Sequence, residues 1–239
     1  HPTNRRQRQM CIRDSLIEIG PGKGAMTSLL LEKCESLTAI EIDKDLIRFL
    51  KKTYGDRKNF NLIEKDILLY DPKELLRVNK LIGNIPYNIS TPIIEWIIDN
   101  KSSFDEIFLM LQKEFGERCV AQPNTKSYGR LSIFVQCFFD VTVIREVDKS
   151  FFTPSPKVQS MFLKLIPKVS DMTPNSLLMK NLSTLTREAF SKRRKLITNS
   201  LKSFFTEEDL VNLGIDRKSR PENLSVETYI KLAKSIQSG

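Results

Sequence analysis

Three segments of this 239-residue chain carry side chains able to hold a nucleoside, and a fourth carries a group able to act on one. The first is Glu18-Ile19-Gly20-Pro21-Gly22-Lys23-Gly24-Ala25-Met26-Thr27. Glycines at a strand-to-helix junction permit positive φ and let a ligand lie against the backbone. Lys23 is followed by Gly24 rather than Ser or Thr, which excludes a Walker phosphate loop. Gly20-x-Gly22-x-x-Ala25 satisfies the loose dinucleotide pattern, although a plain tight turn uses the same residues. In the second, Ala39-Ile40-Glu41-Ile42-Asp43, Glu41 lies 21 residues after Gly20, where an acid at a strand end can accept both ribose hydroxyls. Asp43 is placed to cap the helix that follows. The third, Lys65-Asp66-Ile67, offers a carboxylate to an exocyclic adenine amine, with Ile42 and Ile67 to cover the ring faces. This set fits a nicotinamide dinucleotide and S-adenosylmethionine alike.

Asn84-Ile85-Pro86-Tyr87 separates the two. A base amine is a poor nucleophile while its lone pair is conjugated with the ring. Hydrogen-bond acceptors on its N–H groups favour pyramidalisation toward an electrophilic methyl. Asn84 supplies a side-chain carbonyl, and a backbone carbonyl held by Pro86 supplies another. Tyr87 offers a face for an extruded base. Hydride transfer has no evident use for this group, and with His1 as the single histidine the chain lacks the usual acid–base partner. The alternative for the tetrapeptide alone is an ordinary proline turn.

These segments need elements to carry them. Short apolar runs at 16–19, 37–42, 61–64, 80–83 and 105–111 alternate with amphipathic stretches at 25–33 and 44–52, the pattern of a parallel sheet with crossover helices. Thr91-Pro92 reads as N-cap and first residue of a third helix. The stretch 131–144, dense in Val, Ile and Phe, predicts two strands joined as a hairpin across Phe139-Asp140, and 158–166 predicts the last strand. Prolines at 167 and 174 mark a boundary. Beyond it, Leu178, Leu182, Leu185 and Ala189, and later Val226, Tyr229, Ile230 and Ala233, recur at helical spacing, with Thr206 and Ser225 as caps.

Composition narrows the partners. Hydrophobic residues make up 40% and charged residues 28%, with a formal charge of +9, which describes a folded chain and not a disordered polycation. There is no apolar run of membrane-spanning length and no signal core. Cys11, Cys34, Cys119 and Cys137 form no C-x-x-C pair, so a zinc site, a disulfide scaffold and a His-dependent triad all drop out. A reducing, cytoplasmic location is expected. Residues 167–239 hold 13 basic against 8 acidic side chains, whereas 1–166 hold 25 against 21. Lys192-Arg193-Arg194-Lys195 and Arg217-Lys218-Ser219-Arg220 suit nucleic-acid phosphates, although a short basic run is also what a solvated helix face looks like.

From residue 16 onward the chain resembles the small-subunit ribosomal RNA adenine N6,N6-dimethyltransferase family. The resemblance rests on the segments above together with Tyr128-Gly129-Arg130-Leu131-Ser132, Phe152-Thr153-Pro154-Ser155-Pro156-Lys157-Val158, Ala189 to Lys195 and Arg220-Pro221-Glu222-Asn223-Leu224-Ser225. It implies an α/β fold: a Rossmann-like class I methyltransferase sheet with crossover helices over 16–168, then a small all-α, rRNA-binding domain over 169–239. It implies S-adenosylmethionine as cofactor, with Glu18, Gly20, Gly22 and Gly24 at its methionine and ribose end, Glu41 on the ribose, and Asp66, Ile42 and Ile67 on the adenine. Asn84 and Pro86 would orient the target N6, Tyr87 and Phe152 would stack on the flipped adenine, and Lys157, Lys192, Arg193, Arg194, Lys195 and Arg220 would meet rRNA. It further implies two methylations on each of two adjacent adenines during ribosome biogenesis, no metal, and a monomer whose partner is small-subunit rRNA.

The family places some thirty residues before the first strand, including a Gln-Asn-Phe-Leu segment. Residues 1–15 hold nothing similar, and the expectation is a truncated or replaced start with a weakened cofactor lid. Three competing readings stay open: a non-catalytic assembly factor of the small subunit, a large-subunit rRNA adenine methyltransferase of the macrolide-resistance type, and, more distantly, a dehydrogenase.

Overall fold

The computed structural model describes residues 15–74, 79–151, 158–169, 173 and 176–236. The chain divides into two compact units, His1–Leu111 and Gln112–Gly239. This division by packing falls well before the change of periodicity near residue 167.

In the first unit the sequence alternates as β1 (Ser15–Ile19), α1 (Ala25–Leu31), β2 (Ser36–Glu41), α2 (Lys44–Tyr54), β3 (Phe60–Glu64), β4 (Lys80–Asn84), α3 (Ser90–Asp99) and β5 (Glu106–Gln112). The strands are parallel in the order β3-β2-β1-β4-β5. β1 and β2 are buried along nearly their whole length, as strands covered on both faces must be, which is why they read as mainly apolar runs, interrupted by Glu18, Thr38 and Glu41, and not as alternating ones. Asp43 caps α2 by accepting from the Asp45 and Leu46 N–H groups, and Lys51 and Lys52 sit at the negative end of that helix. α3 buries Ile93, Ile94, Ile97 and Ile98 and donates the Trp96 indole N–H to the Tyr70 carbonyl at 2.9 Å.

The start of α3 differs from expectation. A 3₁₀ turn over Tyr87–Ile89 runs directly into Ser90, so Thr91 lies inside the helix and caps nothing. Pro92 still falls in the first turn, where a missing N–H costs little.

The second unit comprises α4 (Lys113–Val120), α5 (Arg130–Phe138), β6 (Phe139–Val147), β7 (Ser160–Pro167), α6 (Leu177–Ser191), α7 (Ile197–Ser200), α8 (Glu207–Asn212) and α9 (Val226–Ser235). Of the two strands expected over 131–144, the first is a helix. The Gly129 N–H bonds Ser132 Oγ, and that hydroxyl donates to the Arg118 carbonyl at 2.6 Å, fixing the entry to α5. Ile133, Val135, Cys137 and Phe138 are all buried, so the helix is covered around much of its circumference and lacks the one-sided 3.6 pattern that would have revealed it. The hairpin exists, but between β6 and β7, which pair antiparallel. Thr206 and Ser225 cap α8 and α9 as expected. Tyr128, Phe190 and Tyr229 form an aromatic core beside α6 and α9, with ring centroids 6.3 and 6.0 Å apart.

Candidate active site

Strand register decides where the site opens. Ile19 lies beside Ile40 and Gly83, and Glu41 beside Glu64. The turns that begin at Gly20, Ile42, Lys65 and Asn84 therefore share the carboxyl edge of the sheet, the usual place for ligands in open parallel sheets.

The first turn holds Gly20, Gly22 and Gly24 at φ of 59°, 60° and 79°. A Cβ added at Gly20 or Gly22 would meet nothing within 4 Å, whereas one at Gly24 would lie 2.6 Å from the Tyr54 ring. The three glycines thus divide. Gly20 and Gly22 face open space that a ligand can fill, and Gly24 is packed under Tyr54, whose hydroxyl donates to its carbonyl at 3.1 Å. Tyr54 carries no motif signal in the sequence.

Two carboxylates flank this turn. Glu18 is fully buried. Its Oε2 accepts the Thr27 hydroxyl at 2.7 Å, and its Oε1 has no hydrogen-bond partner. Burial pushes the carboxyl from 4.5 up to about 7, against the smaller downward pull of the Thr27 bond. Glu41 is 6% exposed. Its Oε1 accepts from the Ile42 and Asp43 N–H groups at 2.9 and 3.0 Å, and its Oε2 from Gly22 N–H at 3.4 Å. One carboxylate thus ties the end of β2 to the glycine turn and leaves Oε2 only weakly engaged.

Asp66 Oδ1 caps the 3₁₀ turn Ile67–Leu69 by accepting from Leu68 N–H at 3.0 Å. Ile42 is 66% exposed, an aliphatic face laid open beside the turn, whereas Ile67 is buried. Leu69 is exposed to a similar degree and has no motif signal in the sequence.

Asn84 is exposed at the end of β4. The next residue, Ile85, is buried and donates its N–H to the Met110 carbonyl at 2.9 Å, anchoring the turn. The Pro86 carbonyl accepts from Ile89 N–H and from the Ser90 hydroxyl. The carbonyl nearer to Asn84 is that of Ile85, locked in the amide that Pro86 stiffens. Phe152 and Lys157 lie outside the described residues, as does the Tyr87 side chain.

In the second unit Lys192, Arg194, Lys195 and Arg220 are exposed. Arg193 is partly exposed and is bonded to Glu222 and to the carbonyls of Thr125 and Lys126. No group of three His, Cys, Asp or Glu able to hold a metal occurs among the described residues, and no described helix is long and apolar enough to cross a membrane.

A family model for ribosomal RNA adenine dimethylase matches residues 7–238. The chain belongs to that family. It is 38% identical over 225 residues to a Coxiella burnetii ribosomal RNA small subunit methyltransferase A, covering 93% of this chain and 87% of that one. A Legionella pneumophila protein of the same name is 41% identical over 226 residues, covering 94% and 88%. Among solved structures, a dimethyladenosine transferase from Plasmodium falciparum superposes with a TM-score of 0.77 at 31% identity, covering 92% of this chain and 88% of that one. The 23S rRNA methyltransferase ErmE superposes at 0.71 with 22% identity, covering 94% and 91%, a likeness of fold. Membership of this family makes the chain a methyltransferase with a Rossmann-like sheet, as its motifs implied.

Proposed function

We propose that the chain methylates N6 of two adjacent adenines in small-subunit rRNA, giving N6,N6-dimethyladenosine, with S-adenosylmethionine as methyl donor. The observation that carries this reading is the pairing, at one sheet edge, of an open glycine cradle with an exposed Asn84. Buried Glu18 adds an Oε1 with no hydrogen-bond partner, its Oε2 being taken by the Thr27 hydroxyl, and such an atom fits a donor-rich cofactor end. S-adenosylmethionine supplies an electrophilic sulfonium methyl when bound.

The chain's own residues then have defined work. Gly20 and Gly22 admit the cofactor to the backbone. Glu41 accepts the ribose hydroxyls, and the Asp66 carboxylate, through the oxygen not used on Leu68, accepts the adenine amine. Ile42 lies against the adenine ring. Asn84 Oδ1 and the Ile85 carbonyl accept the two N–H bonds of the target N6 and turn its lone pair toward the methyl. The new N–C bond forms as the C–S bond breaks, and the methylated nitrogen, now strongly acidic, loses its proton to water. Tyr87 and Phe152 stack on the flipped base, and Lys192, Arg194, Lys195, Lys157 and Arg220 hold phosphates. In the second transfer, from a fresh donor, the singly methylated nitrogen has one N–H left, so only one of these two acceptors engages it while the other faces the first methyl group. The protein acts as a cytoplasmic monomer.

The test is incubation of the purified chain with methyl-labelled S-adenosylmethionine and small subunits lacking the modification, with Asn84→Ala alongside. Dimethyladenosine from the parent alone is expected. Retained subunit binding without product from the parent overturns methyl transfer and leaves a binding factor.

A further inference from the structure

Arg193 sits in the most basic run of the chain, between Lys192 and Arg194, yet it is not disposed as they are. Lys192, Arg194 and Lys195 are exposed, whereas Arg193 is partly buried. Its Nε contacts Glu222 Oε2 at 2.5 Å, and its Nη2 donates to the Lys126 carbonyl at 3.0 Å and the Thr125 carbonyl at 3.3 Å. The planar fork of a guanidinium is thereby spent on one carboxylate and two carbonyls, a geometry lysine cannot copy.

Other bonds close the same seam. Asn124 N–H donates to the Glu222 carbonyl at 2.8 Å, and the Asn223 amide donates to Asn124 Oδ1 at 2.7 Å. Asn124 is the one non-glycine residue with positive φ among the described residues, at 71°. The loop reaches the 220–223 segment through that uncommon backbone conformation. Buried Tyr128 closes the far end by donating its hydroxyl to the Leu224 carbonyl at 2.9 Å. Within the tail, Ile197 N–H bonds the Ser219 carbonyl at 2.8 Å, so the segments bearing Lys195 and Arg220 are also joined. The side chain of Lys126, whose carbonyl Arg193 grips, is exposed.

We propose that Arg193 is a positioning residue: with Glu222 it clasps the 122–128 loop to the 220–223 segment and so holds Lys126 as a further phosphate contact beside Lys192, Arg194 and Lys195. This rests on the rRNA reading above. Lys126 becomes a member of the RNA-binding face, and Arg193 contributes to binding through it.

Glu222→Gln decides between a clasp and a direct contact. If Arg193 met phosphate itself, deleting its acidic neighbour would leave RNA binding unchanged or tighten it. A clasp predicts the opposite. Equilibrium binding to unmodified small subunits across a salt series is measured for Arg193→Gln, Glu222→Gln, Lys126→Gln and the Arg193→Gln/Lys126→Gln pair. Each single variant is expected to weaken binding roughly three- to tenfold and to lower the salt slope by about one contact. The double variant is expected to match Lys126→Gln alone. Glu222→Gln binding as tightly as the parent, or additive losses in the double variant, overturns the proposal. Lys126→Gln changes an exposed side chain and remains informative should a clasp variant fold poorly. Hydrogen exchange on the free protein separates this proposal from the rRNA reading. Faster exchange of the Asn124 amide in Arg193→Gln and Glu222→Gln supports the clasp even where subunits are not bound, and unchanged exchange overturns it.

Discussion

The cofactor edge of the first unit and the basic face of the second are held by ties of different reach. At the cofactor edge, Glu41 bonds amides one and two residues ahead and Gly22 nineteen residues back, and Glu18 meets Thr27 nine residues on. At the basic face, Arg193 reaches carbonyls 67 and 68 residues away, Tyr128 and Leu224 are 96 apart, and Asn124 and Asn223 are 99 apart. A strand–turn–helix unit makes its short ties as soon as it forms. Long ties require closure of a long loop before any contact rewards it. The side-chain ties of the glycine cradle are thus local, whereas strand pairing brings Asn84 to it, and the proposed RNA grip is tied by long-range side-chain bonds.

Substitutions can break that contrast or sharpen it, beginning with the strongest. Asn84→Ala should lower methyl transfer by about 10²- to 10³-fold, the range found when one polar group that stabilises a transition state is removed. Subunit affinity should change little, and a parallel fall in binding would show that the two regions are not separable in this way. Glu18→Gln should act on stability. The folded carboxyl titrates near 7 against an ordinary 4.5, so the folded state favours the proton. The parent therefore suffers no penalty below pH 4.5, loses stability as pH rises from 4.5 to 7, and is level above, by about 3 kcal/mol in all. The neutral variant should lack that slope, and urea unfolding at pH 5 and pH 8 measures it. Equal slopes in both proteins would place a partner on Oε1.

Tyr128→Phe removes a donor and leaves the Leu224 carbonyl without that bond, at a cost of about 1–3 kcal/mol. Equilibrium unfolding should report the loss and cofactor affinity should hold, since the bond belongs to the second unit. Gly22→Ala should show the smallest change in stability, about 1 kcal/mol for an alanine at positive φ. Its added Cβ enters open space, so its larger effect should be weaker S-adenosylmethionine binding by calorimetry. Unaltered affinity would remove Gly22 from the cradle.

The glycine turn was readable because each feature of it is local. Three glycines at alternate positions each take positive φ, and Asp43 announces α2 by a side chain that bonds two and three residues ahead. The same holds for Thr206 and Ser225. α5 reads as a strand in the sequence because β-branched and aromatic residues buried on several sides leave no polar stripe. Thr91 reads as a cap in the sequence because a preceding 3₁₀ turn, which starts the helix at Ser90, has no periodicity. Arg193 looked like its neighbours because charge runs are written in sequence while ion-pair partners are not.

From sequence alone come the α/β class, the order of the parallel strands' motifs, the family, and the residues proposed for cofactor and adenine. These depend on short-range backbone geometry and on residue types that few other chemistries would place together. The tertiary structure decided which glycines face open space and which one packs under Tyr54, which oxygens of Glu18 and Glu41 remain available, and which arginine of the basic run bonds Glu222 and two backbone carbonyls. Those distinctions arise from packing, desolvation and hydrogen bonding, which span from one residue at Glu41 to 68 at Arg193 and assign different tasks to identical side chains.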